Sequence, residues 1–160
     1  MTAHNFNYQI RELCVYDIRN AIDLVWEVFE EFEAPEYSEE GIKSFRDFIE
    51  YNSILEKYNN NNIFMYGCFD NNELLGIVAV REFKHICLLF VKKIFHNQGI
   101  AKNLFKFAID KCKNISQYPL EITVNSSPYA VGFYHRMDFI NTDEEQIVNG
   151  IKFIPMKYFI

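Results

Sequence analysis

Residues 91–102 read Val-Lys-Lys-Ile-Phe-His-Asn-Gln-Gly-Ile-Ala-Lys, and this stretch joins an apolar strand to an amphipathic helix. A helix that begins near Gly99 leaves its first backbone N–H groups without intrahelical partners, at the positive end of the helix dipole. Gly99 and Ala101 carry small side chains, so an anion can approach the backbone closely. The stretch therefore predicts an anion-binding site, although small residues where a helix packs on a strand would give the same pattern.

The charge and the glycine spacing of this loop restrict the kind of anion. Lys92, Lys93 and Lys102 add local positive charge to a chain whose formal net charge is −6. The loop lacks the Gly-Lys-Ser/Thr sequence of a P-loop and the Gly-x-Gly-x-x-Gly sequence of a dinucleotide-binding fold. It therefore predicts neither of these two nucleotide sites.

The chain before the loop shows both strand and helix periodicity. Asp17 is placed to cap the first helix, and Pro35 disfavours helix at the residue before it. Asp70-Asn71-Asn72 is typical of a hairpin turn, and Gly76 suggests a β-bulge. The predicted elements are a strand at 8–13, a helix from Asp17 to Glu33, a helix from Ser38 to Leu55, and strands at 63–69, 74–82 and 85–91.

The chain after the loop continues the alternation of helix and strand. Pro128 suits a first helical turn, and Asn149-Gly150 suits a tight hairpin turn. The predicted elements are a helix from Gly99 to Cys112, a strand from Pro119 to Val124, a short helix from Pro128, and closing strands at 137–140, 146–148 and 151–159. The order β-α-α-β-β-β-α-β-α-β-β predicts one mixed α/β domain that spans residues 1–160.

The composition narrows the classes of ligand and location. A pI of about 5.2 argues against a nucleic-acid partner, which needs a basic surface. The four cysteines lack the Cys-x-x-Cys and Cys-x-x-His spacings of zinc sites, so we expect no metal. We see neither a signal peptide nor an apolar run of about 18 residues. These features predict a cytoplasmic protein without a membrane segment.

Residues 96–101 resemble the Arg/Gln-x-x-Gly-x-Gly/Ala signature of the GNAT family of N-acetyltransferases, with His96 at the Arg or Gln position. Residues 125–139, Asn-Ser-Ser-Pro-Tyr-Ala-Val-Gly-Phe-Tyr-His-Arg-Met-Asp-Phe, resemble the family's second motif, with Asp138 in place of its Gly. Lys93 replaces a proline that is common in the family, and Gln146 to Met156 resembles the closing hairpin of small bacterial members. The resemblance implies a GNAT-like mixed central sheet whose two parallel strands splay apart at a cofactor cleft.

The resemblance also implies acetyl-CoA as co-substrate. Its pantetheine arm would lie between the strands at 85–91 and 120–124, where a backbone N–H would polarise the thioester carbonyl. The N–H groups of residues 97–102 would hold the pyrophosphate, and Asn125 would bond the pantetheine amides. The implied cofactor-binding residues are Leu89, Phe90, Val91, His96, Asn97, Gln98, Gly99, Ile100, Ala101, Lys102, Asn125 and Tyr134.

The resemblance makes Tyr134 the candidate general acid, which would protonate the departing thiolate. Packing in the core beside Phe133 is the alternative for this side chain. An ammonium acceptor must lose a proton before it attacks, and the sequence leaves that base open. The candidates are Glu33, Glu36, Glu82, His85 or a chain of water molecules. The acidic stretch from residue 27 to residue 36 would attract a cationic acceptor or, alternatively, form an ordinary exposed helix face.

The function implied by the resemblance is direct transfer of an acetyl group from acetyl-CoA to a primary amine. Cys87 lies on the central strand, but the sequence pairs it with no activating base for a covalent mechanism. A non-catalytic acyl-CoA-binding or sensing module is the alternative, because His96 and Asp138 depart from the family pattern. The acceptor amine and the oligomeric state stay open, with a homodimer as one option.

Overall fold

One mixed β-sheet runs through the part of the chain that the computed structural model describes, residues 7–115 and 121–160. Its eight strands are β1 (Gln9–Glu12), β2 (Ile63–Asp70), β3 (Glu73–Arg81), β4 (His85–Val91), β5 (Glu121–Ser126), β6 (Ile140–Asn141), β7 (Gln146–Val148) and β8 (Ile151–Phe159). They follow the order β1-β2-β3-β4-β5-β8-β6, and β7 pairs with β8 beside this path. β4 and β5 run parallel and the other paired strands antiparallel, which confirms the predicted mixed sheet.

Helices cover both faces of the sheet. They are α1 (Ile18–Phe32), α2 (Glu39–Phe48), α3 (Tyr51–Asn59), α4 (Ile100–Ile115) and α5 (Val131–Arg136). The first three share a core with Ile77 of β3, whereas α4 and α5 share a core with the adjacent Val78. Successive strand residues point to opposite faces, so the two groups of helices lie on opposite sides of the sheet. None of the described helices is long and apolar enough to cross a membrane.

The two parallel strands separate soon after they meet. β4 and β5 pair only at His85 with Thr123 and at Ile86 with Val124. Cys87 is an extra residue in the β3–β4 ladder, and such a bulge increases the local twist of the strand. β4 stays paired with β3 up to Val91, while β5 pairs with β8 along its length. The predicted splay of the parallel strands is confirmed.

The single helix predicted from Ser38 to Leu55 is in fact two helices, α2 and α3. The Ser38 hydroxyl accepts a hydrogen bond from the Gly41 N–H at 3.1 Å, and the Glu50 carboxylate caps α3 by accepting from the Ser53 N–H at 3.0 Å. Ile49 and Ile54 are both buried in the same core. Residues five apart in a continuous helix point about 140° apart. The break therefore lets both isoleucines face the core.

Several predicted boundaries differ from the observed ones. α1 begins after Asp17 as expected, but the Asp17 carboxylate accepts from the Cys14 N–H at 2.8 Å and pairs with Arg11 instead of capping α1. The bulge in β3 places the extra residue at Leu75, next to Gly76. The strand predicted from residue 119 begins outside the described residues, and its described part starts at Glu121.

The closing strand predicted at 137–140 is also displaced. The Met137 N–H still bonds to the carbonyl oxygen of Phe133, so the chain there completes α5. The observed strand, β6, comprises only Ile140 and Asn141. By contrast, Asn149 and Gly150 both have positive φ and form the predicted hairpin turn.

Gly41 of α2 lies against this hairpin turn. A Cβ on Gly41 would come within 2.1 Å of the Gly150 carbonyl oxygen. The Ser44 hydroxyl also donates to the Asn149 carbonyl oxygen at 2.8 Å. The absence of a side chain at Gly41 is thus what lets α2 pack on the closing hairpin.

We expect Gly41→Ala to lower the free energy of unfolding by about 1–3 kcal/mol, because backbone atoms must move to admit the methyl group. Gly132→Ala is the matched control, since a Cβ there meets only Arg136, at 3.4 Å, and alanine favours a helix. Urea denaturation of both variants measures the difference. Equal stability of the two variants would contradict the close contact between α2 and the turn.

Candidate functional site

A cavity of about 650 Å³ lies beside the second half of β4, where β5 has separated from it. Residues from both faces of the sheet line this cavity. Val28 and Phe32 belong to α1, whereas Ile100 belongs to α4 and Tyr134 to α5. The cavity therefore connects the two faces of the sheet at the gap between the parallel strands.

Most of the predicted site residues lie on the wall of this cavity. They are Leu89, Phe90, Val91, His96, Asn97, Gly99, Ile100, Ala101, Lys102 and Tyr134. Gln98 is exposed and lies off the wall, and its side-chain amide donates to the Ile94 carbonyl oxygen at 3.3 Å. Asn125 is also exposed, on β5, and is not part of the cavity wall.

The open edge of β4 presents backbone groups to the gap. The Lys92 N–H bonds to the Leu75 carbonyl oxygen on β3, so the backbone N–H and carbonyl groups of Lys92 face that neighbouring strand. Backbone groups alternate between the two edges of a strand, and those of Leu89 and Val91 therefore face the gap. A side-chain contact supports this direction, because His96 Nε2 lies 2.7 Å from the Val91 carbonyl oxygen.

The loop before α4 carries a row of free backbone donors. Asn97 and Gly99 adopt left-handed backbone conformations, with φ of 61° and 80°. Within the described residues, no acceptor bonds to the N–H groups of 97–102. A Cβ on Gly99 would meet no atom within 4 Å. Free donors beside open space at a helix start are the features that favour an anion.

His96 fastens this loop to the end of β4. A carbonyl oxygen can only accept, so Nε2 of His96 donates to the Val91 carbonyl oxygen across their 2.7 Å contact. The His96 ring also packs on Phe32 of α1, with 5.1 Å between ring centroids. Phe32 in turn stacks on Tyr129 at 5.1 Å. The three rings thus link α1 to the two chain segments that border the cavity.

Of the three lysines that the sequence places near this loop, only Lys102 lines the cavity. Lys92 pairs with Glu73 at 3.4 Å and Lys93 with Glu31 at 2.5 Å, and neither lysine lines the cavity. Lys102 does line it, and so does Arg136 from α5. The positive charge at the cavity therefore comes from the first turn of α4 and from α5.

Tyr134 is buried, with 5% of its surface exposed, and its ring packs edge-on against Phe133 and Phe139. The structure thus shows the core packing that the sequence left as an alternative, together with a place on the cavity wall. The hydroxyl makes no hydrogen bond to a described residue. Burial, aided by the negative charge of Glu33, raises the pKa of Tyr134 well above its usual value. The phenol therefore stays protonated at neutral pH, and the side chain lies on the cavity wall.

Glu33 directly follows α1 and lines the same cavity. Burial raises the pKa of its carboxyl to about 7, against a smaller lowering effect from a hydrogen bond with Ser127. The Ser127 hydroxyl lies 3.1 Å from Glu33 Oε1. A carboxyl group with a pKa near neutrality can accept a proton and release it again, as a general base requires.

The other candidate bases lie away from the cavity wall. Glu82 is exposed in the turn between β3 and β4, 3.5 Å from Lys84. His85 begins β4 at the end opposite the cavity, and its Nδ1 lies 2.7 Å from the Thr123 hydroxyl. Burial lowers the pKa of His85 to about 4. Glu36 is exposed in the 3-10 turn after α1.

Sequence reasoning missed four residues at this site: Phe32, Tyr129, Arg136 and Ser127. Ser127, Tyr129 and Arg136 stand inside the quoted motif, but none of these residue types pointed to a role there. Phe32 belongs to an amphipathic helix stripe that looks like ordinary core. Only the fold brings Phe32, Tyr129 and Arg136 to the cavity wall and Ser127 to Glu33.

The comparisons with known proteins agree with this geometry. A family model described as an acetyltransferase (GNAT) domain matches residues 33–160. A GCN5-related N-acetyltransferase from Rhodopseudomonas palustris is similar in structure, with a TM-score of 0.80, 16% identity and 95% of each chain covered. The PaiA N-acetyltransferase from Thermoplasma acidophilum, solved with coenzyme A, has a TM-score of 0.74 and 24% identity over 96% of this chain and 99% of its own.

A third similar structure is the spermidine N-acetyltransferase from Vibrio cholerae in complex with CoA and spermine. Its TM-score is 0.65 and its identity 19%, with 97% of this chain and 96% of that chain covered. At these identities the three structures show a shared fold. No curated protein matches the sequence.

The raised pKa of Glu33 makes stability depend on pH. Its pKa rises from 4.5 to about 7 on folding, so the folded protein binds this proton more tightly than the unfolded chain. The resulting stabilisation is complete below pH 4.5 and is lost as the pH rises through about 7. Glu33→Gln removes the titration and keeps the shape. We expect the melting temperature of the wild type to fall relative to Glu33→Gln across this range.

Thermal melts followed by circular dichroism at several pH values measure this difference. Glu36→Gln is the matched control, because Glu36 is exposed and lies off the cavity wall. Its melting temperature should follow that of the wild type. A constant offset between wild type and Glu33→Gln from pH 4.5 to 7 would contradict the assignment.

Proposed function

The chain belongs to the GNAT family of acetyltransferases, and on that premise we propose that it transfers the acetyl group of acetyl-CoA to a primary amine. The observation that supports this proposal most directly is the pairing of Glu33 and Tyr134 at one cavity. One side chain suits removal of a proton from the amine, and the other suits protonation of the departing sulfur. Both stand beside the open edge of β4.

The residues around the cavity fit coenzyme A. The free N–H groups of 97–102, with Lys102 and Arg136, would hold its pyrophosphate. The open space beside Gly99 leaves room for a phosphate close to the backbone. Leu89 and Val91 would pair with the pantetheine through the backbone groups that face the gap, and Asn125 of β5 remains a proposed contact for its amides. Bound there, acetyl-CoA would supply the activated acetyl group.

Glu33 is our candidate for the general base. An amine that enters from the α1 side would transfer its proton to the Glu33 carboxylate, directly or through water. The amine nitrogen would then attack the thioester carbonyl carbon. A backbone N–H on the open edge of β4 would stabilise the negative charge that develops on the carbonyl oxygen.

Tyr134 would complete the reaction as the general acid. The carbon–sulfur bond breaks, and the Tyr134 phenol donates its proton to the thiolate. The nitrogen loses its second proton as the amide forms, and this proton restores the Tyr134 phenol. Glu33 releases the proton it accepted to solvent, so the net products are an amide, a free thiol and one proton. Cys87 does not line the cavity, and burial raises the pKa of its thiol. This position favours direct transfer over a covalent enzyme intermediate.

A nitrogen acceptor agrees with the names of the similar structures, of which one holds spermine and all three are called N-acetyltransferases. The test is a panel of amines, including polyamines, amino acids and peptides, assayed by thiol release from acetyl-CoA. We expect at least one amine to raise thiol release above the rate of hydrolysis. Acetyl-CoA that raises the melting temperature while no amine raises thiol release would point to a binding module instead.

We expect Tyr134→Phe to lower kcat by about 10²-fold or more, since the variant lacks the acidic hydroxyl. The affinity for CoA, measured by isothermal titration calorimetry, should stay near that of the wild type. Tyr158→Phe is the matched control, because Tyr158 packs on Phe139 in the same aromatic cluster but lies off the cavity wall. Unchanged turnover in Tyr134→Phe would remove Tyr134 as the acid.

A further inference from the structure

The hydroxyl group of Ser127 contacts Glu33, which lies on the cavity wall. Ser127 follows β5 directly and is buried, with 8% of its surface exposed. Its Oγ lies 3.1 Å from Glu33 Oε1 and 3.3 Å from the Ala130 backbone nitrogen. An N–H group can only donate, so the hydroxyl accepts from Ala130 and its own hydrogen is free for Glu33. The geometry therefore sets the direction of the bond between Ser127 and Glu33.

This bond engages one oxygen of the Glu33 carboxylate and leaves the other oxygen free. Among the described residues, Ser127 is the sole donor to the Glu33 side chain. A carboxylate without a partner rotates about its terminal bonds, whereas one held at Oε1 keeps one orientation. The contact also spans 94 residues in sequence, from the end of α1 to the end of β5. It thus ties the candidate base to the opposite border of the gap.

The other titratable or charged groups near Glu33 come from several elements. Tyr134 of α5 and Tyr37, which follows the 3-10 turn after α1, both interact electrostatically with Glu33. The charged or titratable side chains that share the cavity wall are His96, Lys102, Tyr129 and Arg136. Ser127 is the group that donates a hydrogen bond to the carboxylate, so it favours the charged form.

We propose that Ser127 is a positioning residue, whose hydroxyl holds the Glu33 carboxylate on the cavity wall and leaves its second oxygen for the acceptor amine. The inference rests on the proposed function, because it makes Glu33 the base of that reaction. Ser127 acts through Glu33 and need not touch the substrate.

The test compares Ser127→Ala with Ser126→Ala. Ser126 is the matched control, because it is also buried, but its hydroxyl donates to the Ser127 carbonyl oxygen at 2.8 Å and not to Glu33. Loss of the Ser127 hydroxyl removes a bond that favours the carboxylate, so the pKa of Glu33 should rise. We expect the acidic limb of the kcat/KM profile to move up by about one pH unit in Ser127→Ala. That shift lowers kcat/KM about tenfold on the acidic side.

Two further variants complete the series. Ser127→Thr keeps a hydroxyl, so the acidic limb of its kcat/KM profile should lie where it does in the wild type. Ser127→Cys keeps the shape but donates weakly, so it gives an intermediate shift and serves as the test if Ser127→Ala does not fold. Ser126→Ala should leave the limb in place.

A second measurement needs no activity. In substrate-free protein labelled with ¹³C at glutamate carboxyls, the Glu33 resonance is the one missing from Glu33→Gln. Its titration midpoint should rise in Ser127→Ala and stay unchanged in Ser126→Ala. Equal midpoints in the two alanine variants would overturn the proposal.

The two measurements separate the possible failures. If the Glu33 midpoint rises but the kcat/KM limb stays, Ser127 orients a carboxyl group that is not the base, and the proposal is wrong while acetyl transfer stands. If the wild type acetylates no amine, the proposed function fails and the inference fails with it, whatever the titration shows. A shift in both measurements supports the positioning role.

Discussion

The separation of β4 from β5 is the constraint on which the rest of the structure depends. The strands pair at two positions, and the bulge at Cys87 then turns β4 away from its neighbour. An unpaired strand edge inside a protein must find other partners for its backbone groups. Here the edge borders a cavity that reaches both faces of the sheet. The missing strand pairs thus leave the backbone edge on which we propose that a pantetheine chain binds.

Burial sets the chemistry of the side chains around this gap. Glu33 and Tyr134 approach the cavity from opposite faces of the sheet, and burial raises the pKa of both groups. The Glu33 carboxyl group therefore exchanges protons near neutral pH, whereas the Tyr134 phenol keeps its proton. The protonation state of each side chain at the cavity therefore depends on where the fold buries it.

Sequence patterns predicted much of this arrangement. The mixed sheet, the hairpin at residues 63–82 and the helix after Gly99 follow from periodicity and turn residues, which act locally. The residues 96–101 and 125–139 carried the family resemblance. Prediction failed where contacts between distant residues determine the local structure. One example is the break between α2 and α3, which lets both Ile49 and Ile54 reach the core. The charge of Lys92 and Lys93 was also misjudged, because Glu73 and Glu31 are remote in sequence.

The loop at residues 91–102 shows most clearly which features follow from the local sequence and which follow only from the tertiary structure. Its sequence alone determined a strand end, a loop with small residues and a helix start with free N–H groups, since these depend on neighbouring residues. Only the tertiary structure decided that Glu33, and not Glu36, Glu82 or His85, lies on the cavity wall beside this loop. It also brought Ser127 to Glu33 across 94 residues. Burial and hydrogen bonding between distant segments arise only when the chain folds.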